Sequence, residues 1–361
     1  NREITTTSSK TENWNVTITF VNYNVDQSAN AGKSLNAKLE IRKDEYKQTL
    51  ADYVISQYTG TQGENSIYYH DSSLANGAGD NSYRYAGESD SVNNFVCFGS
   101  TDSPCPTDNL YRIIGVFGDN YHGVSGEQLV KLIKYDYATS DLLGIDGDYV
   151  SSLTPSKTYY KGNLTSIDIY YWNYKATSAA SDVWSTSLLN KTNLNTNFVN
   201  NIGTEWANKI ATITWKVGGN TTANIAESTS SVAYISEVLS PVTNTDESSK
   251  IGLMYVSDYG FAAIPSAWTL TMDSYNNTTA TNNNWMYMGY TEWTIIPTTT
   301  PMPDTKRAFR INVDGNVYIG KPYPFDEDGS DYRGVRPTFI LKSSVTYKLG
   351  SGTMSDPIRI N

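Results

Sequence analysis

The chain of 361 residues carries 27 Lys and Arg against 37 Asp and Glu, a net charge of −10, which argues against nucleic acid or any other polyanionic partner. Only 18% of its residues are charged, below the ~25% usual in soluble domains; Asn, Thr, Ser and Tyr take their place, and 28 Tyr and 8 Trp supply enough apolar surface to exclude a disordered chain. No stretch reaches the ~18 uninterrupted apolar residues that read as a membrane span, and Asn1 in place of an initiator Met leads us to expect a processed product whose export signal or anchor lay upstream.

The first segment alternates in strand fashion, with Trp14, Val16, Ile18 and Phe20 on one parity and Asn15, Thr17 and Thr19 on the other. A second alternating run over residues 34–41 follows a polar turn. Residues 1–43 are therefore expected as a small β-hairpin appendage, a stalk or a polymerisation strand. Asp44 then caps a predicted amphipathic helix over 44–59, in which Leu50, Tyr53, Val54 and Gln57 recur at three- and four-residue steps and Gly60 closes the end. Residues 61–91 are rich in Gly, Asn, Ser and Tyr without lasting periodicity and read as a long ordered loop, which makes 44–94 a helix-and-loop segment.

Cys97 and Cys105 bracket a turn-forming stretch stiffened by Pro104 and Pro106. A disulfide, persisting in an oxidising compartment, is the expected state; two unpaired buried thiols are the alternative, and the spacing is not that of a metal site. Residues 111–117 and 129–133 are apolar runs separated by turn signals and predict a buried hairpin. Between 181 and 213, Val183, Trp184, Leu188, Leu189, Phe198, Ile202, Trp206 and Ile210 fit two or three short helices, with Ser181 and Thr204 as caps. Residues 251–256 read as a strand that Asp258, Tyr259 and Gly260 end in a turn; Asp258 and Tyr259 are candidate ligand contacts.

Residues 282–294 gather Trp285, Tyr287, Tyr290, Glu292 and Trp293 among amides and hydroxyls. Flat rings beside polar groups hold a sugar, and rings at strand spacing also build a core, so both readings stand. Residues 308–319 alternate about Asp314 and Gly315, a two-residue hairpin signal. Asp326, Asp328 and Asp331 form the densest carboxylate cluster. They are a candidate Ca²⁺ site without the full loop of a helix-loop-helix calcium motif, a solvated acidic turn being the alternative. Arg336 is expected to tie that turn to the sheet. The histidines, His70 and His122, stand in separate loops, and no nucleophile elbow, phosphate-binding loop or zinc-protease helix occurs, so an enzyme is not expected.

The ordered series of residues 109–117, Lys131-Leu132-Ile133, Val183-Trp184-Ser185-Thr186, 251–260, Trp293-Thr294, 308–315 and Gly334-Val335-Arg336-Pro337 resembles an uncharacterised domain of exported proteins from low-GC Gram-positive bacteria. The resemblance covers residues 95–361. Its terminal pattern is similar to C-type-lectin-like folds, the superfamily that also includes the formylglycine-generating enzymes. This implies an α+β fold, a twisted antiparallel sheet with flanking short helices. The Glu-Pro-Asn and Gln-Pro-Asp motifs of calcium-dependent lectins are absent, and neither cysteine matches the catalytic pair of the enzymes. The expected function is an extracellular, surface-displayed, non-enzymatic binding or adhesion protein for a glycan or protein ligand. The alternative is a structural subunit of a pilus or extracellular fibre that self-associates through the strand of residues 14–20.

Overall fold

The structure, a computed structural model, describes residues 47–118, 126–145, 160–164, 167–173, 182–241, 245–277, 283–299, 307–320 and 333–361, with the backbone alone for 160–164. The chain divides into residues 1–47 and 48–361. The expected hairpin appendage, Asp44, His122, Ser181 and the acidic turn all lie outside the described residues.

Leu50, Ala51 and Val54 bury one face of helix α1 (Leu50–Ser56). The helix starts later than expected. Gln48 and Leu50 are drawn into backbone bonds with Tyr347 and Val345, so Thr49 stays extended and its Oγ1 caps the helix by accepting the Asp52 amide at 3.0 Å. The stretch read as a loop contains two three-residue strands, β1 (Ile67–Tyr69) and β2 (Tyr83–Tyr85), paired antiparallel with Ile67 opposite Tyr85. Strands this short carry too few residues to show alternation.

Next come β3 (Phe95–Cys97), β4 (Leu110–Phe117) and β5 (Leu129–Lys134). β4 and β5 form the expected hairpin, wholly buried, with a bulge at Ile114. Gly115 beside it is required by close approach: a Cβ there would lie 2.4 Å from the Tyr83 carbonyl on β2. Helix α2 (Ser140–Leu143) precedes the paired strands β6 (Tyr160–Leu164) and β7 (Ile167–Tyr170). The region read as short helices holds a π-helical run, Leu189–Phe198, leading into α3 (Val199–Asn201) and α4 (Thr204–Ala207). Gly203, not Thr204, occupies the cap position of α4.

β8 (Ile213–Lys216) pairs with β9 (Asp246–Ser249), and α5 (Ser230–Tyr234) lies between them in sequence. The apolar run that follows is a strand only at β10 (Ile251–Gly252); the expected turn at Asp258 is instead helix α6 (Val256–Ala262), buried along its whole length. β11 (Glu292–Thr298), β12 (Arg307–Ile311) and β13 (Val317–Gly320) form a second sheet. Five residues, 312–316, separate β12 from β13 in place of the expected two-residue turn: the Asn312 amide donates to the Asn316 carbonyl across the loop, and Gly315 sits at φ +90°. Finally β14 (Thr338–Ile340) enters the main sheet, and β15 (Tyr347–Leu349) pairs with β16 (Arg359–Ile360).

The main sheet runs β1-β2-β4-β5-β14-β10, with β3 also on β4, all antiparallel. The fold is thus α+β, as expected, with short helices around antiparallel sheets. Residues 48–94 share its core, since Val54, Ile67 and Tyr85 belong to the same buried cluster as β4 and β5. No helix among the described residues is long and apolar enough to cross a membrane.

Cys97 and Cys105 form a disulfide that joins the end of β3 to the loop before β4. Its loop is short, so reduction is expected to cost about 2.5 kcal/mol, read as a lowered denaturant midpoint with reductant present. An unchanged midpoint in reductant, with both thiols alkylated, would contradict this.

Candidate functional site

Most of the side chains expected to meet a ligand are core. Trp285 is enclosed, its Nε1 donating to the Tyr85 carbonyl at 2.8 Å, and the Arg112 guanidinium lies 4.7 Å from its ring. Trp293 is equally enclosed and donates to the Tyr170 carbonyl at 3.0 Å. Tyr259 donates to the Gly315 carbonyl at 2.6 Å. These bonds have a common cause: a buried ring with a polar atom needs a partner, and each ring finds a backbone carbonyl on a neighbouring element. Tyr287 and Tyr290 alone keep some exposure; the Tyr287 hydroxyl bonds the Val313 carbonyl, and the Tyr290 backbone clasps the Tyr137 hydroxyl. Burial therefore removes Trp285, Trp293, Glu292, Asp258 and Tyr259 from any external platform, because no face of theirs reaches solvent.

The structure separates these residues by the ions they serve. Glu292 receives both Nε and Nη2 of Arg336, at 2.7 and 2.8 Å, and Arg336 also reaches the Met286 carbonyl at 2.6 Å. The carboxylate that Arg336 holds is thus Glu292 on β11, not one in the acidic turn. Burial pushes the Glu292 carboxyl up, while Arg336 pulls it back down. Asp258 pairs elsewhere, with Lys131 of β5 at 2.6 Å. A third buried cation, Arg84, bonds Asp80 at 2.7 Å and lies 4.8 Å from each of the Phe117, Tyr234 and Phe261 ring centres. Lys131, Arg84 and Arg112 were not singled out from the sequence. The available signal was a charge inside an apolar strand run, such as Leu129-Val130-Lys131-Leu132-Ile133.

Asp326, Asp328 and Asp331 lie outside the described residues, and no cluster of three metal-ligating side chains occurs among the described ones.

Open surface with rings and amides occurs instead around α1. Tyr53 and Gln57 of α1, Asn65 of the following turn, Tyr85 of β2, Ser91 and Asn93 of the next loop, and Ser351 and Ile358 near the C-terminus line one cleft. It encloses about 100 Å³, room for no more than a single ring and smaller than the ~300–1,000 Å³ of drug-sized ligand sites. One wall is built by stacking: Tyr53 and Tyr347 are parallel within 5° at 3.7 Å. The floor turn is held in an unusual backbone, with Asn65 at φ +56° and Ser66 at φ +61°, and the Asn65 amide fixes the turn by donating to the Gln57 carbonyl at 2.8 Å. Just beyond Gln57, Tyr58 meets the stacked pair Tyr69 and Tyr83, whose centres are 4.6 Å apart. All eight lining residues are uncharged. The cleft can offer ring faces, amides and hydroxyls, and it carries no group suited to general acid or base catalysis near neutral pH. Burial first, then Tyr347 and Asp356, push the Tyr53 hydroxyl up to about 12, so it stays a neutral donor.

None of the protein-family models, curated proteins or solved structures compared with the chain matches it.

Proposed function

We propose that the chain is a non-enzymatic binding module, displayed outside the cell, that grips a neutral glycan in the cleft beside α1. The observation that carries this reading is the lining: the half-buried Tyr53 ring, amides and hydroxyls converge on a ring-sized space without a charge among them. A pyranose offers an apolar face to an aromatic ring and neutral hydroxyls to amides, and a charged ligand would find no counter-ion there. The disulfide supports an extracellular setting, since thiols remain reduced in most cytosols. A C-type-lectin-like scaffold belongs to the same proposal, and so does a Ca²⁺ ion at Asp326, Asp328 and Asp331.

Binding of a panel of neutral glycans, followed by calorimetry on the full chain, tests the reading. Asn93 is exposed and its side chain makes no hydrogen bond among the described residues, so Asn93→Ala is expected to weaken binding about tenfold through one lost bond. Tyr53→Phe keeps the stacked wall and removes the hydroxyl, which holds only a long bond to the Gly350 carbonyl, at 3.4 Å, and gives it up to a ligand, so a similar loss is expected. Both should leave the melting temperature nearly unchanged. A panel without a binder, or variants that bind like the parent, would remove the glycan reading. Filaments of the full chain in negative-stain microscopy would favour the pilus or fibre subunit instead.

A further inference from the structure

Lys131 lies in the middle of β5 and Asp258 in the first turn of α6, and the fold presses them together. Lys131 Nζ is 2.6 Å from Asp258 Oδ2, with the two side chains 0% and 1% exposed. The rings of Tyr255, Trp215 and Phe117 stand 4.6, 5.5 and 5.8 Å from the amine. The pair differs from Arg336–Glu292, in which a guanidinium fork serves both carboxylate oxygens. Here a primary amine meets one oxygen. That oxygen also accepts the Tyr255 amide at 2.9 Å, and Asp258 Oδ1 is buried with no donor among the described residues. An ion pair left in that state carries an unsatisfied anionic oxygen in a low-dielectric site, an expensive arrangement.

We propose that Lys131 and Asp258 condense into an intramolecular isopeptide bond that ties β5 to α6 through the core. In the step, one ammonium proton passes to the carboxylate, giving a neutral amine and a neutral acid. The amine lone pair attacks Cγ, a C–N bond forms and a Cγ–O bond breaks. The departing oxygen leaves as water with two of the three ammonium protons, and the third stays on the amide nitrogen. No external reagent enters the balance. In water this condensation is opposed largely because both reactants are ionised, and burial penalises the charge on Lys131. Burial pushes Lys131 below the range of a free amine, although Asp258 and Glu237 pull the other way.

Contact geometry supplies the rate: groups held at bonding approach react with effective concentrations of ~10⁵–10⁸ M. Glu237 holds the attacked segment in place, receiving the Val256 and Ser257 amides on its two oxygens at 2.9 Å each. The inference does not rest on the glycan reading.

Intact-mass spectrometry of the unfolded, disulfide-reduced full chain tests it. The expected result is a mass one water below that of the sequence, and proteolysis should yield one branched peptide containing both Lys131 and Asp258. Asp258→Asn is expected to condense with loss of ammonia and give the parent's mass, whereas Asp258→Ala and Lys131→Met should keep their full sequence masses. A parent chain at full sequence mass, with Lys131 cleaved by trypsin as a free lysine, overturns the proposal. So does a water loss confined to a single linear peptide. The parent measurement decides the matter even if the variants do not fold.

Discussion

Below about pH 4.5 His70 is expected to cost the protein roughly 1.4 kcal/mol of stability per pH unit, a slope that Glu237 offsets between about pH 6.5 and 4.5. The histidine is enclosed, its ring edge-on to Phe261 at 4.9 Å, and its Nδ1 accepts the Ala78 amide at 3.0 Å. That bond places the proton on Nε2, which has no partner among the described residues. A second proton would have to sit on Nδ1, facing a donor. Burial, helped by Arg84, lowers the pKa from 6.5 to about 3. A base with a depressed native pKa binds fewer protons folded than unfolded. Its contribution is therefore present above 6.5 and is lost as pH falls toward 3, about 5 kcal/mol in all.

Glu237 has the opposite sign. Burial raises its carboxyl from 4.5 to about 7, against the Val256 and Ser257 bonds that pull it down. An acid with a raised native pKa binds more protons folded, so its contribution is full below 4.5 and is lost as pH rises through 7. Between 6.5 and 4.5 the two slopes cancel. His70→Asn, which leaves an acceptor for the Ala78 amide, should remove one slope. Its stability is then expected to rise by about 3 kcal/mol as pH falls from 7 to 4.5. Urea unfolding across this pH range measures both curves. A parent that loses stability steadily from pH 6.5, or a variant with the parent's profile, would refute the assignment.

Arg336→Met is expected to destabilise the protein by about 3–5 kcal/mol, because it leaves Glu292 buried without its counter-ion and takes a donor from the Met286 carbonyl. Burial already pushes the Glu292 carboxyl upward, and losing Arg336 removes the charge that pulls it down, so the variant's carboxyl binds its proton more readily than the parent's. The loss should therefore shrink on acidification, more than in the parent. Pairing the change with Glu292→Leu removes the stranded charge and should recover much of the loss. A penalty under about 1 kcal/mol at neutral pH would show that the pair holds little together.

The sequence was most legible where a pattern repeats over several residues. The β4–β5 hairpin follows from apolar runs of seven and five residues, the β12–β13 hairpin from Gly315 and its flanking alternation, and Leu50, Tyr53, Val54 and Gln57 mark α1. β1, β2 and β10 went unread or were overdrawn because two or three residues contain no period to detect. The ring-rich run of residues 282–294 was legible as important but not as core or surface, since Trp285 carries the same side chain in either place.

Composition and local pattern determined a folded chain of strands and short helices rich in neutral hydrogen bonders, and pointed to a disulfide between its only cysteines. Tertiary structure alone decided which carboxylate meets which cation and which tyrosines face the solvent. Lys131 and Asp258 are 127 positions apart, and Tyr53 and Tyr347 meet only because the C-terminal strands return to α1. The physical reason is range. Backbone preference and hydrophobic period act over a few neighbouring residues, whereas desolvation and ion pairing depend on every segment that closes around a group.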